Sequence, residues 1–128
     1  MRTDRQKTGD YGERCAARYL MRRGYRIQAR NWRADHREID LIAVRFGVIA
    51  FVEVKTRTYL PGDTDALPPR AAVGTEKQYF TRQAAKRYLY EHPTTRKPRM
   101  DVIEVYLTAG TDGKRPRVQK IHHLPGAY

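Results

Sequence analysis

The stretch that most constrains this chain runs from Arg37 to Arg57 and reads REIDLIAVRFGVIAFVEVKTR. Two apolar, β-branched runs meet at Phe46-Gly47, and their period-two alternation marks both as strands. Closed as an antiparallel hairpin at that dipeptide, they place Arg45 opposite Val48, Val44 opposite Ile49, Ile42 opposite Phe51 and Asp40 opposite Glu53. Glu53 and Lys55 are two apart and project from one face of their strand. Directly opposed carboxylates repel unless positive charge sits between them. A hard divalent cation held by oxygen ligands would supply that charge, and the Lys55 ammonium would add to it. The even connection therefore predicts Asp40, Glu53 and Lys55 together on one face of the sheet.

The remaining elements fall on either side. Residues 1–8 are polar and charged and read as a frayed end. From Asp10 to Arg23, Tyr11, Cys15 and Tyr19, with Ala16 and Leu20, recur at helical spacing, and Gly24 is the stop. Glu13 precedes Ala16, Ala17 and Leu20 at helical intervals, so it projects from the sheet-facing side. It either complements the helix dipole or belongs to a site. Tyr25–Trp32 reads as a strand with Tyr25, Ile27 and Ala29 on one face. Trp32, flanked by Arg30 and Arg33, is either a core anchor or an aromatic beside phosphate contacts. The proline-rich segment 58–70 is a loop beside the site, a lid or a plain crossover. Thr75 and Gln78 have capping-box form, and a helix follows to Glu91 with Phe80, Ala84 and Tyr88 as its apolar stripe. Met100–Leu107 is a strand, Thr111–Lys114 a hairpin turn and Val118–Leu124 a basic edge strand. Its lysines and arginines serve edge protection or a nucleic-acid surface. The order α-β-β-β-α-β-β predicts an α/β fold with a mixed sheet of about five strands flanked by helices.

A chain of 128 residues reads as one domain, 1–128. The lone Cys15 excludes an internal disulfide framework and suits a reducing compartment. No apolar run approaches a membrane span and no signal peptide is visible, so the expectation is a cytoplasmic protein without membrane attachment. The histidines lack zinc-ligand spacing, and P-loop, dinucleotide and Ser or Cys nucleophile motifs are missing. The net charge of +12 points to a polyanionic partner, and nucleic acid is the commonest. Arg30, Arg33, Arg37, Arg57, Lys77, Arg82 and Lys86 are the candidate phosphate contacts. Lys77 lies in a first helical turn, where a cation opposes the dipole; it is either a plain exposed lysine or a phosphate ligand.

An Asp followed by Glu-x-Lys on the next strand resembles the catalytic core of the PD-(D/E)xK, or restriction-endonuclease-like, superfamily. The longer run of Gly12-Glu13, ARYLMRRGY, RNWR, EIDLIA, FVEVKTR and RMDVI is similar to the uncharacterised YraN-like family, which is grouped by resemblance with archaeal Holliday-junction resolvases. The resemblance covers Gly9 to about Tyr128. No proline precedes Asp40, and His36-Arg37 stands where that family often has a glycine pair. The resemblance implies a restriction-endonuclease-like fold and a Mg²⁺- or Mn²⁺-dependent nuclease acting on DNA, including branched or damaged DNA. Asp40, Glu53 and the Val54 carbonyl would hold the metal, and Lys55 would act on the water or the transition state. The resemblance also favours a site role for Glu13, which would complete the shell of a second metal. The alternative is a non-catalytic nucleic-acid-binding protein that keeps the fold. Either could work as a homodimer.

Overall fold

The computed structural model describes residues 3–60, 73–111 and 113–128. Their order is α1 (Asp4–Arg22), β1 (Arg26–Ala34), β2 (Arg37–Arg45), β3 (Val48–Tyr59), α2 (Thr75–Glu91), β4 (Lys97–Thr108) and β5 (Arg117–Leu124). The strands form one mixed sheet in the order β1-β2-β3-β4-β5. All neighbours are antiparallel except β3 and β4, which run parallel across the α2 connection. This is the α/β arrangement expected from the element order.

The β2–β3 hairpin has the expected register, from Arg45↔Val48 through Ile42↔Phe51 to Leu41↔Val52. Phe46 takes a φ of +51° to make the turn, a conformation such tight hairpins require. Alternation then sorts the strands into two cores. Leu41, Ala43, Ala50 and Val52 pack with Ala16, Ala17 and Leu20 of α1. Ile42, Val44, Ile49 and Phe51 pack with Ala84, Ala85 and Tyr88 of α2. Each helix thus covers one face of the sheet.

Past Leu41↔Val52 the sheet splits. The start of β2 pairs only with β1, through Ile39↔Trp32 to Arg37↔Ala34. The end of β3 pairs only with β4, through Glu53↔Val102 to Tyr59↔Thr108. The gap between Asp40 and Glu53 opens there, roofed by a helix on each side.

Several expectations need correction. Residues 3–8 are not frayed: α1 begins at Asp4, and Thr3 forms a complete capping box with Gln6. Gly12 sits well inside the helix. A glycine there weakens a helix by about 1 kcal/mol, but a Cβ would lie 1.9 Å from Thr56 Oγ1, so the close α1–β3 approach requires it. The helix does end at Gly24, whose φ of +88° and bonds Tyr25 N–H→Leu20 O and Gly24 N–H→Met21 O form a Schellman stop. A bulge between Ile27 and Ala29 breaks β1. Ile27 packs on the α1 side, whereas Ala29 and Trp32 pack on the α2 side, so Tyr25, Ile27 and Ala29 do not share a face. Trp32 is a core residue, edge-on to Tyr88 at 5.3 Å.

The capping box expected at Thr75 and Gln78 does not form. Gly74 is the N-cap, without a side-chain cap, and Gln78 donates to the Val73 carbonyl instead. Phe80 leaves the expected apolar stripe: Thr81 is buried in its place and Phe80 is 39% exposed. Strand β3 extends through Thr58 to Tyr59, so the expected 58–70 loop begins later, and 61–72 lie outside the described residues. The Thr111–Lys114 turn carries the bond Lys114 N–H→Thr111 O, with Asp112 outside the described residues. Strand pairing resumes only at Thr108↔Arg117, so the connection is longer than a two-residue hairpin. Among the described residues no helix is long and apolar enough to cross a membrane.

Candidate functional site

Asp40 lies where β2 leaves β3. With no β2 backbone opposite it, the Val54 N–H needs another acceptor, and Asp40 Oδ2 takes it at 2.8 Å. Glu53 precedes Val54 and is 8% exposed. Its Oε1 makes an ion pair with Lys77 Nζ. Its Oε2 is buried and has no hydrogen-bond partner among the described residues. Glu13 reaches the same opening from α1. Asn31, with a φ of +49°, lies on the β1 side. In the amide orientation that satisfies both acceptors, its nitrogen donates to Glu13 Oε2 and Glu38 Oε1 at 3.0 Å each.

Electrostatics separate this cluster from a structural one. Burial, and then the Asp40 charge, raise Glu13 to about 7. Burial also raises Asp40, to about 6, against the pull of the Val54 hydrogen bond, and the Glu53 charge adds to the rise. Burial alone would lower Lys77, but its hydrogen bond to Glu53 and that carboxylate's charge outweigh it and hold the ammonium charged. Asp101, on β4, is the contrast. It is fully buried yet saturated: Arg99 binds both oxygens at 2.8 Å, His123 Nε2 lies 2.8 Å away and Gly126 N–H donates at 3.0 Å. Burial pushes Asp101 up, but those partners hold it below the usual carboxylate range. Asp101 pins the C-terminal segment to the sheet. Glu53 Oε2 keeps unused acceptor capacity instead among the described residues.

Two concavities meet at this pair. A basin of about 510 Å³ on the α1 side is lined by Arg5, Thr8, Glu13, Asp40, Glu53 and Val54. A cleft of about 870 Å³ on the α2 side shares Asp40, Glu53 and Lys77 and is also lined by Arg37 and Phe80. The turns of α1 expected to fray thus form one wall of the site.

The structure brings Asp40, Glu53, Val54 and Glu13 together. Lys55 is half-buried and shares the Glu53 face by alternation, but it lines neither concavity; the ammonium on Glu53 belongs to Lys77. Arg37 lines the cleft. Arg30 and Arg33 border a neighbouring hollow with Glu13, and Arg33 pairs with Glu38 at 3.2 Å. Arg57, Arg82 and Lys86 are exposed, Arg82 standing over the Tyr128 ring. Sequence reasoning missed Asn31 and the Glu53 partnership of Lys77. The available signals were an asparagine inside a strand and a lysine in a first helical turn.

The donor set fits a hard cation. It offers carboxylate oxygens, one of them buried without a partner among the described residues, beside a backbone segment that lines the same basin. Among the described residues no group of three His, Cys, Asp or Glu side chains is assembled as a ready metal cage, so two carboxylates and backbone or water oxygens would have to suffice.

Fold and site together define an α/β domain whose sheet opens around a carboxylate pair, Glu53 buried and Asp40 half-buried, and a lysine of α2. The chain belongs to the family described as uncharacterised protein family UPF0102, which it matches over residues 12–105. It is similar to UPF0102 proteins of Trichlorobacter lovleyi (40% identity, 96% of this chain and 91% of the relative), Salinispora tropica (43%; 96% and 93%) and Synechococcus sp. (40%; 88% and 85%). The matched segment contains Glu13, Asp40, Glu53, Lys55 and Lys77.

Proposed function

We propose that this protein is a metal-dependent nuclease that hydrolyses DNA phosphodiester bonds in the manner of the PD-(D/E)xK superfamily. The observation that carries this reading is the buried Glu53 Oε2, without a hydrogen-bond partner among the described residues, beside Asp40 at the split in the sheet. Burying a carboxylate oxygen without a donor is unfavourable, and such groups cluster where function needs them. Asp40, Glu53 and the Val54 carbonyl would hold Mg²⁺ or Mn²⁺. When bound, that ion supplies charge neutralisation at the phosphate and acidifies water. The protein's own side chains do the rest. Asp40 is oriented by the Val54 N–H. Glu13, poised near neutrality, takes a proton from the attacking water. Lys77 supplies positive charge to the phosphate as it becomes more negative, and Lys55, on the Glu53 strand face but outside both concavities, would add to it at longer range. Arg30, Arg33, Arg37, Arg57, Arg82 and Lys86 hold the flanking backbone.

The test is cleavage of single-stranded, duplex, flap and four-way-junction DNA with and without Mg²⁺ or Mn²⁺. Wild type should cut at least one substrate only with metal, and Asp40→Asn or Glu53→Gln should abolish cutting. Cleavage undiminished in Glu53→Gln would assign the activity to another site or a contaminant. The second reading is a nucleic-acid-binding protein without turnover. The Lys77–Glu53 ion pair favours it, because it already neutralises one carboxylate without a metal. No cutting and no metal-dependent shift in melting temperature would decide for it.

A further inference from the structure

The cleft on the α2 side is built differently from the carboxylate basin. It is lined by Asp40, Glu53 and Lys77, by the apolar Ile39 and Val52, and by Arg37 and Phe80. Helical spacing assigns Phe80 to the core with Ala84 and Tyr88, yet the fold leaves it 39% exposed at the cleft. The Arg37 guanidinium stands 5.2 Å over its ring. The Tyr79 ring meets it in a T-shaped arrangement, with centroids 5.4 Å apart. A large aromatic kept out of the core and paired with a cation is a preformed stacking platform. The cleft volume, about 870 Å³, is within the range of small-ligand sites, roughly 300–1,000 Å³.

We propose that this cleft takes the base of one unpaired nucleotide, stacked at the Arg37–Phe80 pair while its phosphate faces Lys77. The proposal rests on the nucleic-acid partner of the preceding section and adds a substrate class: single-stranded or splayed DNA rather than intact duplex. The exposed aromatic beside a guanidinium supports that occupant, within a chain that carries +12. Arg37 and Lys77 line the cleft together with Asp35, Glu38, Asp40, Glu53 and Glu76, so the phosphate contact falls to Lys77, and the Phe80 ring with Ile39 and Val52 offers apolar surface to the base face. A base paired inside a duplex cannot enter without being unstacked and flipped, which disfavours the duplex.

The experiment is binding in EDTA, so that cleavage plays no part. The probe is a short single-stranded oligonucleotide carrying 2-aminopurine, whose fluorescence falls on stacking, compared with the same sequence as a duplex. Wild type should quench the single-stranded probe and bind it more tightly than the duplex. Phe80→Ala should lose the quenching and about tenfold in single-strand affinity, with duplex affinity within about twofold. Phe80→Leu, which keeps apolar volume without a π face, should also lose the quenching and guards against a folding defect. Equal affinity of wild type and Phe80→Ala for single strands, or equal losses on both substrates, would overturn the proposal. The two readings fail separately. A wild type that never cuts but passes this test keeps the base site and loses the nuclease. A metal-dependent nuclease indifferent to Phe80 keeps the activity and loses the base site.

Discussion

Asp40, Glu13 and Asp101 are three carboxylates whose surroundings push them in opposite directions. Asp40 and Glu13 are raised, to about 6 and about 7. A raised folded-state pKa means that the folded protein holds protons the unfolded chain has released. Stability therefore falls as pH rises from the ordinary carboxylate range near 4 to about 7, then levels off. Asp101 has the opposite sign: its contribution is present above the ordinary aspartate range and lost as pH falls through its depressed pKa. Melting curves without metal should thus show maximal stability near the ordinary carboxylate range and a decline toward neutrality. Asp40→Asn should flatten the Asp40 part of that decline. Its amide oxygen can still accept the Val54 N–H, so at pH 8 the variant should gain about 1 kcal/mol, roughly 3–5 °C. A variant less stable than wild type at pH 8 would show that Asp40 is held by a partner that stabilises its charge. Lys77→Met removes the counter-charge of Glu53. Because the Lys77 side chain is 60% exposed, the loss at pH 8 should be about 1–2 kcal/mol rather than the larger value for a fully buried pair. Stabilisation by Mn²⁺ should rise in the same variant. Unchanged melting with and without Mn²⁺ would make the Lys77–Glu53 contact incidental.

At the scale of elements, α1 is seated by two features. The Thr3–Gln6 capping box starts it early, and Gly12 lets it press against Thr56. Gly12→Ala gains about 1 kcal/mol of helix propensity but drives a methyl into the Thr56 side chain. The net expectation is a destabilisation of about 1–3 kcal/mol by overpacking. Thr56→Ala in the same chain should recover part of that loss, since it removes the Oγ1 and Cγ2 atoms in the way. A double-mutant cycle reads the coupling, and additive losses would mean that α1 shifts without resistance. Thr3→Ala should remove about 1 kcal/mol of capping and speed amide exchange in the first turns of α1. Those turns carry Arg5 and Thr8 on the basin wall, so their fraying should also loosen the site.

The whole molecule carries 26 Lys and Arg against 14 Asp and Glu, while its buried carboxylates lie inside the sheet. Nucleic-acid affinity without metal should therefore come from the outer surface and fall steeply with salt. If 6–10 phosphates are contacted, roughly three to five decades would be lost between 50 and 200 mM salt. Asp40→Asn, Glu53→Gln and Lys55→Ala should leave that affinity within about twofold. Affinity that is flat across the titration, or undetectable at low salt, would reduce the basic excess to a solubility feature.

What the sequence by itself determined was local and periodic. The hairpin register at Phe46-Gly47, the Gly24 stop, the burial of Cys15 and the order of elements all follow from contacts between residues near in sequence, where alternation, helical spacing and turn chemistry act directly. The nearness of Asp40 and Glu53 was legible for the same reason, but the expected cross-strand pair does not form: pairing stops at Leu41↔Val52, and Asp40 turns to the Val54 N–H. Only the tertiary structure decided which lysine meets Glu53. Lys55 is two residues away on the same strand, but Lys77, brought over by the crossover helix, has the geometry. Only the packing of α1 on β3 brings Glu13 and the first turns to the basin. The bulge after Ile27 and the exposure of Phe80 have the same origin. Two faces of one sheet must each fit a helix, and that requirement can override the pattern of any single strand or stripe.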